Sequence, residues 1–197
     1  EIQSFISAPA DLLVIRIRSS KPNLRFRISL TREKDAIITT TTNRISMIGQ
    51  IVDTGDAMIK GPEGPHLRFA SVANVEHKGG KLITRQNGLE VSGAREVVIR
   101  FTAATDYQPE KLDFNRNVNP LQICHSILEK TTGKIYTKLQ QDHLLEYQPL
   151  FNRCGIQISD QSKADLPTDL RLNQFKSGGK DNGLLALYFQ YGRYLLL

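Results

Sequence analysis

The chain has 197 residues, 40% of them hydrophobic, which is ample for a core and too apolar for a disordered tail. Its 26 basic and 20 acidic residues leave a net charge of +6, a statement about solubility and steering rather than fold. No apolar run approaches the roughly 20 residues of a membrane-spanning helix, which excludes one, and two cysteines make neither a disulfide framework nor a four-cysteine zinc site.

Glu1 rather than Met opens the chain and Leu195, Leu196 and Leu197 close it, so both ends are expected to be cut from a longer protein. The first half alternates with period two. Ile15-Arg16-Ile17-Arg18 and Leu24-Arg25-Phe26-Arg27-Ile28 set apolar residues on one strand face and arginines on the other. Further strands are predicted at Arg44–Val52, Leu67–Glu76, Lys81–Arg85, Leu89–Ser92 and Glu96–Thr102. The threonine run Thr39–Thr42 suits a β-edge or a loop. Turn chemistry separates the strands: His77-Lys78-Gly79-Gly80, Gln86-Asn87-Gly88 and Gly93-Ala94, with Asn-Gly the strongest hairpin signal. Short turns between half-polar strands predict a mainly β protein, an antiparallel meander in a β-sandwich with one wetted sheet face.

After Tyr107 the pattern changes. Gln108–Val118 reads as a polar loop, then Asn119 caps a helix with Pro120 in its first turn. That helix carries Leu121, Cys124 and Leu128 and ends by Gly133. A second helix places Leu139, His143 and Tyr147 on one face before Pro149 disturbs it. Asn152–Ser159 is expected to return to extended structure, and Ser159–Pro167 to be a linker. From Asp181 a last helix is predicted, with Leu184, Leu187, Tyr188, Tyr191 and Leu195 as an exposed apolar stripe that wants a partner.

Each residue with potential chemistry also has a plainer role. The histidines His66, His77, His125 and His143 form no His-Glu-x-x-His unit; His143 beside Asp142 is the most ligand-like, and packing is the expected role of all four. Ser177-Gly178-Gly179-Lys180 lacks the first glycine and the following Ser or Thr of a phosphate-binding loop, and reads as a loop before the last helix. Asp106, Glu110 and Asp113, with Asp165 and Asp169 further on, are scattered carboxylates. Asp106 and Glu110 are the pair a glycosidase reading would use, and solvated loop acids are the expectation. Arg16, Arg18, Arg25 and Arg27 suggest a basic patch, but no aromatic residues interleave with them for base stacking, so an ordinary outer sheet face is expected and nucleic acid is not. Both Cys124 and Cys154 are expected as core thiols.

Longer motifs carry a resemblance. Pro167-Thr168-Asp169-x-Arg171-Leu172, followed by Leu187-Tyr188-Phe189-Gln190-Tyr191-Gly192-Arg193-Tyr194-Leu195-Leu196, closely resembles glycoside hydrolase family 95. His143-x-x-x-Tyr147-Gln148-x-Leu150-Phe151-x-Arg153 resembles the linker helix of that family, and Ala103-Ala104-Thr105-Asp106-Tyr107 one of its strand ends. Phe5-Ile6-Ser7-Ala8-Pro9-Ala10-Asp11 followed by Val14-Ile15-Arg16-Ile17 resembles a strand of its N-terminal domain.

The resemblance implies an incomplete galactose mutarotase-like super-sandwich over 1–118, a helical linker region over 119–180 and the start of a catalytic (α/α)6 barrel over 181–197. It also implies an inverting α-L-fucosidase, or α-L-galactosidase, acting on fucosylated oligosaccharides. The barrel's general acid and water-activating residues would lie beyond Leu197, so the chain carries no catalytic, cofactor-binding or metal residue and is inactive alone. The missing barrel would pack on this segment, with no nucleic acid or membrane as partner, and the family suggests a secreted or periplasmic protein. Two other readings stay open. One is a related sandwich-plus-barrel disaccharide phosphorylase. The other is a stand-alone carbohydrate-binding module, disfavoured because Trp is absent and the tyrosines cluster near the end.

Overall fold

A computed structural model describes residues 1–53, 64–158 and 163–197. They divide into two compact units, Glu1–Asp142 and His143–Leu197. The protein is mainly antiparallel β in its first unit and helical in its second.

In the first unit a six-stranded sheet runs in the order β1-β2-β9-β6-β5-β4. Its strands are β1 (Ile2–Ser7), β2 (Leu12–Arg18), β4 (Ala36–Thr40), β5 (Arg44–Asp53), β6 (Gly64–Lys78) and β9 (Glu96–Thr105). A second sheet, β3-β8-β7, contains β3 (Leu24–Ser29), β7 (Lys81–Arg85) and β8 (Gly88–Ala94). The order is not the expected meander. Strands β3, β7 and β8 leave for the second sheet, so β2 pairs with β9, with Ile15 opposite Ile99. Thr39 and Thr40 fall in β4, an edge strand.

Glycine governs the crossing from β6 to β7. Gly79 and Gly80 take φ of 73° and 66°, and a Cβ on Gly80 would sit 2.4 Å from the Gly93 carbonyl carbon. The next hairpin differs from the Asn-Gly expectation. Arg85 pairs with Gly88, so the loop is Gln86-Asn87 and only Asn87 takes positive φ, at 56°. Gly88 is a strand residue, needed because a Cβ would lie 2.5 Å from the Ile28 carbonyl oxygen.

Two cores follow from the alternation. Ile45, Ala73, Val75, Val97 and Ile99 pack against Leu89, Val91 and Ala94 between the sheets. The opposite face of the six-stranded sheet carries Phe5, Leu12, Val14, Val72 and Val98, covered by helix α1 (Pro120–Lys130) through Cys124, Ile127 and Leu128, and by Tyr136 and Leu139. The wetted face expected of the large sheet is thus reduced to its β4–β5 end, where Ile37 and Ile48 stay exposed, because α1 covers the rest over β6 and β9. Arg16 accordingly does not point to water: its guanidinium lies 3.9 Å over the Tyr136 ring and donates to Gln3 Oε1.

Asn119 caps α1 as expected, its side-chain oxygen accepting from the amides of Leu121 at 3.1 Å and Gln122 at 3.3 Å. Helix α2 (Tyr136–Phe151) passes through Pro149, which falls in its last turn. No strand forms over 152–158, and residues 159–162 of the expected linker lie outside the described residues. Helix α3 (Thr168–Lys176) was not legible in the sequence, because its exposed surface mixes Leu170 and Leu172 with polar residues and its buried residue is Arg171. Helix α4 (Asn182–Leu196) starts at Asp181, whose carboxylate accepts from the Leu184 amide at 2.8 Å.

Candidate functional site

The structure makes Asp106 a buried, ion-paired acid and not the solvated loop carboxylate expected. Strand β9 ends at Thr105, and Asp106 is 1% exposed. Its Oδ2 accepts from Arg68 Nε at 2.9 Å and Arg116 Nη1 at 2.6 Å, and its Oδ1 from the Arg68 amide at 2.9 Å. Burial alone would raise its pKa; hydrogen bonds from the Arg68 side chain and backbone and from Arg116 outweigh it and hold the carboxyl below 3.8. The arginines also donate onward, Arg68 to the Arg116 and Val118 carbonyls and Arg116 to those of His66 and Pro65. This clasp ties the start of β6 and the end of β9 to the segment that leads into α1. Arg68 and Arg116 had no sequence signal, since an arginine in an alternating strand or a polar loop looks solvated.

The other carboxylates do not join it. Glu110, Asp113, Asp165 and Asp169 are all exposed. The Asp106–Glu110 pair thus puts one buried, ion-paired acid and one solvent-facing acid on the chain, and no bond is bracketed between them.

Histidine chemistry is equally plain. His66 meets the Phe114 ring edge-on at 6.3 Å, His77 bonds the Gly79 carbonyl at 2.9 Å, and His125 is half-buried on α1. His143 is buried with its ring stacked on Tyr147 at 5.4 Å, and burial lowers its pKa against the nearby Glu146 charge. Asp142 pairs instead with Lys138 at 2.8 Å and Lys134 at 3.4 Å. Among the described residues no group of three His, Cys, Asp or Glu side chains is gathered as for a metal. Cys124 is a core thiol against the Ala70 carbonyl, whereas Cys154 is exposed, contrary to expectation, because it follows α2 in irregular chain.

In the second unit the glycine pair is a helix end. Gly178 (φ 88°) and Gly179 donate their amides to the Phe175 and Gln174 carbonyls of α3, so these N–H groups are not free to cradle a phosphate. Beyond them Arg171 and Asp181 make a buried bidentate pair, Nε to Oδ2 at 2.9 Å and Nη2 to Oδ1 at 2.8 Å. The Arg171 hydrogen bond, opposed by burial, holds the Asp181 carboxyl down to about 2. One carboxylate therefore caps α4 and fastens it to α3.

That fastening shapes an apolar groove of about 710 Å³ lined by Leu172, Phe175, Leu184, Leu187, Tyr188 and Tyr191. Leu187, Tyr188, Tyr191 and Leu195 are exposed as expected, Tyr188 at 77%. Leu184 departs from the expected stripe. It is 6% exposed, drawn into the floor of the groove where the capped first turn of α4 meets α3.

Comparison with known proteins bears on both units. Residues 1–110 match the family model described as Glycosyl hydrolase family 65, N-terminal domain. Residues 135–197 match the Glycosyl hydrolase family 95 catalytic domain. The chain belongs to the glycoside hydrolases that carry this family 65 N-terminal domain, and its last third is similar to the family 95 catalytic domain. Alpha-L-fucosidase 2 of Arabidopsis thaliana is 28% identical over 98% of this chain and 25% of its own length. Probable alpha-fucosidase A of Aspergillus niger is 26% identical over 100% of this chain and 25% of its own. The chain thus spans about a quarter of the length of the curated relatives it matches. In this family 95-like chain, the Arg171–Asp181 pair and the apolar groove both fall inside the catalytic-domain match. The Asp106 clasp falls within the N-terminal match, apart from Arg116.

Proposed function

We propose that this chain is the β-domain, linker and first barrel helix of a fucosidase-type glycoside hydrolase, acting as scaffold and interface rather than as the source of its chemistry. Residues 1–118 would form part of the N-terminal sandwich, 119–180 the linker region and 181–197 the start of the catalytic barrel. The substrate of the whole enzyme would be a glycan with terminal α-L-fucosyl groups, hydrolysed with inversion by an acid and an activated water.

The observation that carries this reading is the order of the two family matches along one chain, 1–110 and then 135–197, shared with relatives called fucosidases. The acids of this segment support it: Asp106 is committed to two arginines, and a carboxylate so stabilised is a poor proton donor at neutral pH.

The test compares two proteins on an aryl α-L-fucoside. A full-length protein containing this segment should release L-fucose, with the β-anomer first seen by NMR, while the 197-residue chain alone should match buffer. No fucose from the full-length protein would reject the substrate class. Turnover by the chain alone that is lost in Asp106→Asn or Glu110→Gln would reject the scaffold role.

A further inference from the structure

The outer face of the β3-β8-β7 sheet is charged in one sense. Register places Arg25 opposite Ser92 and Ser92 opposite Lys81, then Arg27 opposite Glu90 and Glu90 opposite Ile83, with Arg85 beside Gly88. Phe26, Leu82, Leu89 and Val91 point the other way, into the core. Arg25, Arg27, Lys81 and Arg85 are all exposed, so this face sets four cations against the single carboxylate of Glu90.

Only one of the four cations is neutralised locally, Arg85 by Glu90, which leaves three in excess among the described residues. Glu90 is engaged by Arg85 Nε at 2.8 Å, and Arg27 donates to the Gln86 carbonyl at 2.6 Å, which steadies both guanidiniums. Among the described residues Arg25 and Lys81 have no ion-pair partner, and they flank Ser92 on one register row. Strands lie about 4.8 Å apart and alternate residues about 6.8 Å along a strand, so the charges form a flat lattice roughly 10 Å across. A flat array of exposed cations suits an extended polyanion laid across it better than a small ligand, which would need a concave pocket.

We propose that this face binds an anionic polysaccharide, a chain of uronic acid or sulfated sugars, and holds the glycan near the enzyme. The choice of a glycan rests on the fucosidase-type reading above. The face itself disfavours nucleic acid. It presents no aromatic ring for base stacking among the described residues, and no projecting helix or ribbon to enter a duplex groove.

Affinity electrophoresis of the whole chain through gels containing polygalacturonate, dextran or duplex DNA tests this without any activity measurement. Polygalacturonate should retard the chain, dextran should not, and about 0.5 M salt should abolish the effect by screening. Arg25→Glu with Lys81→Glu should weaken binding about tenfold or more, and Arg25→Gln with Lys81→Gln should do so less. Lys111→Glu, exposed away from this face, should leave it unchanged. Circular dichroism identical to the parent would show that the variants fold. Equal retardation by dextran, stronger binding to DNA than to polygalacturonate, or a Lys111→Glu loss as large as the double variant's would each overturn the proposal. A full-length protein that cleaves fucosides while this face fails to bind would reject the proposal alone; binding without cleavage would reject only the reading of the enzyme.

Discussion

Asp106 gathers two guanidiniums and a backbone amide onto one buried carboxylate. Asp106→Asn removes the charge and turns one acceptor oxygen into a donor facing the arginines or the Arg68 amide, which should cost about 2–3 kcal/mol, the lower side of a broken buried pair because both guanidiniums are a third or more exposed. The pH dependence follows from the lowered pKa. The clasp contributes fully above the unfolded value near 3.8 and is lost as pH falls through the folded value. The stability gap between parent and Asp106→Asn should therefore shrink on acidification below that point. A gap in urea midpoints constant from neutral pH to pH 2 would show that the carboxylate charge is immaterial. The two thiols offer a second check. Burial pushes the Cys124 thiol up to about 11, while Cys154 is exposed. A thiol-reactive dye should titrate one cysteine in the native chain and a second only after denaturation. Two fast thiols, or none, would contradict the packing.

Helix α1 is held on the large sheet at both of its ends, and the far end depends on Arg100. This residue lies in the central strand β9, 3% exposed, and reaches past the core to the end of α1. Its Nη1 donates to the Thr131 carbonyl at 2.9 Å and its Nη2 to the Lys134 carbonyl at 2.6 Å and to Glu76 at 3.1 Å. A helix C-terminus carries unsatisfied carbonyls and partial negative charge, so a guanidinium is a fitting partner. Arg100→Met should lower unfolding stability by about 2–4 kcal/mol, since the apolar stem is kept while the buried Thr131 carbonyl and the part-buried Lys134 carbonyl lose their donor. Hydrogen exchange should speed first at the amides of residues 131–136. Protection unchanged there would mean that packing by Ile127 and Leu128 alone secures the helix.

At the scale of the whole chain, the α3/α4 face leaves a broad apolar surface uncovered among the described residues of the second unit. Leu187, Tyr188, Tyr191 and Leu195 stand in water, and burying one such side chain is worth about 1.5–3 kcal/mol. At tens of micromolar the 197-residue chain is expected to sediment as dimers or larger species. Tyr188→Lys with Tyr191→Lys should shift it toward monomer with an unchanged far-ultraviolet spectrum. Removing the helix outright is a poorer test, because Asp181 would go with it and leave Arg171 buried without its carboxylate. A monomeric parent at that concentration would show that this face does not drive association.

Short-range pattern was enough for much of this protein. Alternation located β2, β3 and β5 to β9, Asn119 with Pro120 located α1, and Asp181 located α4, because each depends on residues within a few positions of one another. The motif Tyr188-Phe189-Gln190-Tyr191-Gly192-Arg193-Tyr194 likewise pointed to family 95 from the sequence alone. Partners distant in sequence were beyond that reach. Arg68 meets Asp106 across 38 positions, and Arg100 meets Thr131 across 31, so their burial depends on the sheet order β2-β9-β6 that only long-range pairing establishes. The same holds for α1, whose apolar stripe announced that it would pack somewhere. That it covers the second face of the large sheet, turning Arg16 from a surface charge into a cation over Tyr136, was decided by tertiary packing, because a strand's alternation fixes which residues share a face and not what will cover it.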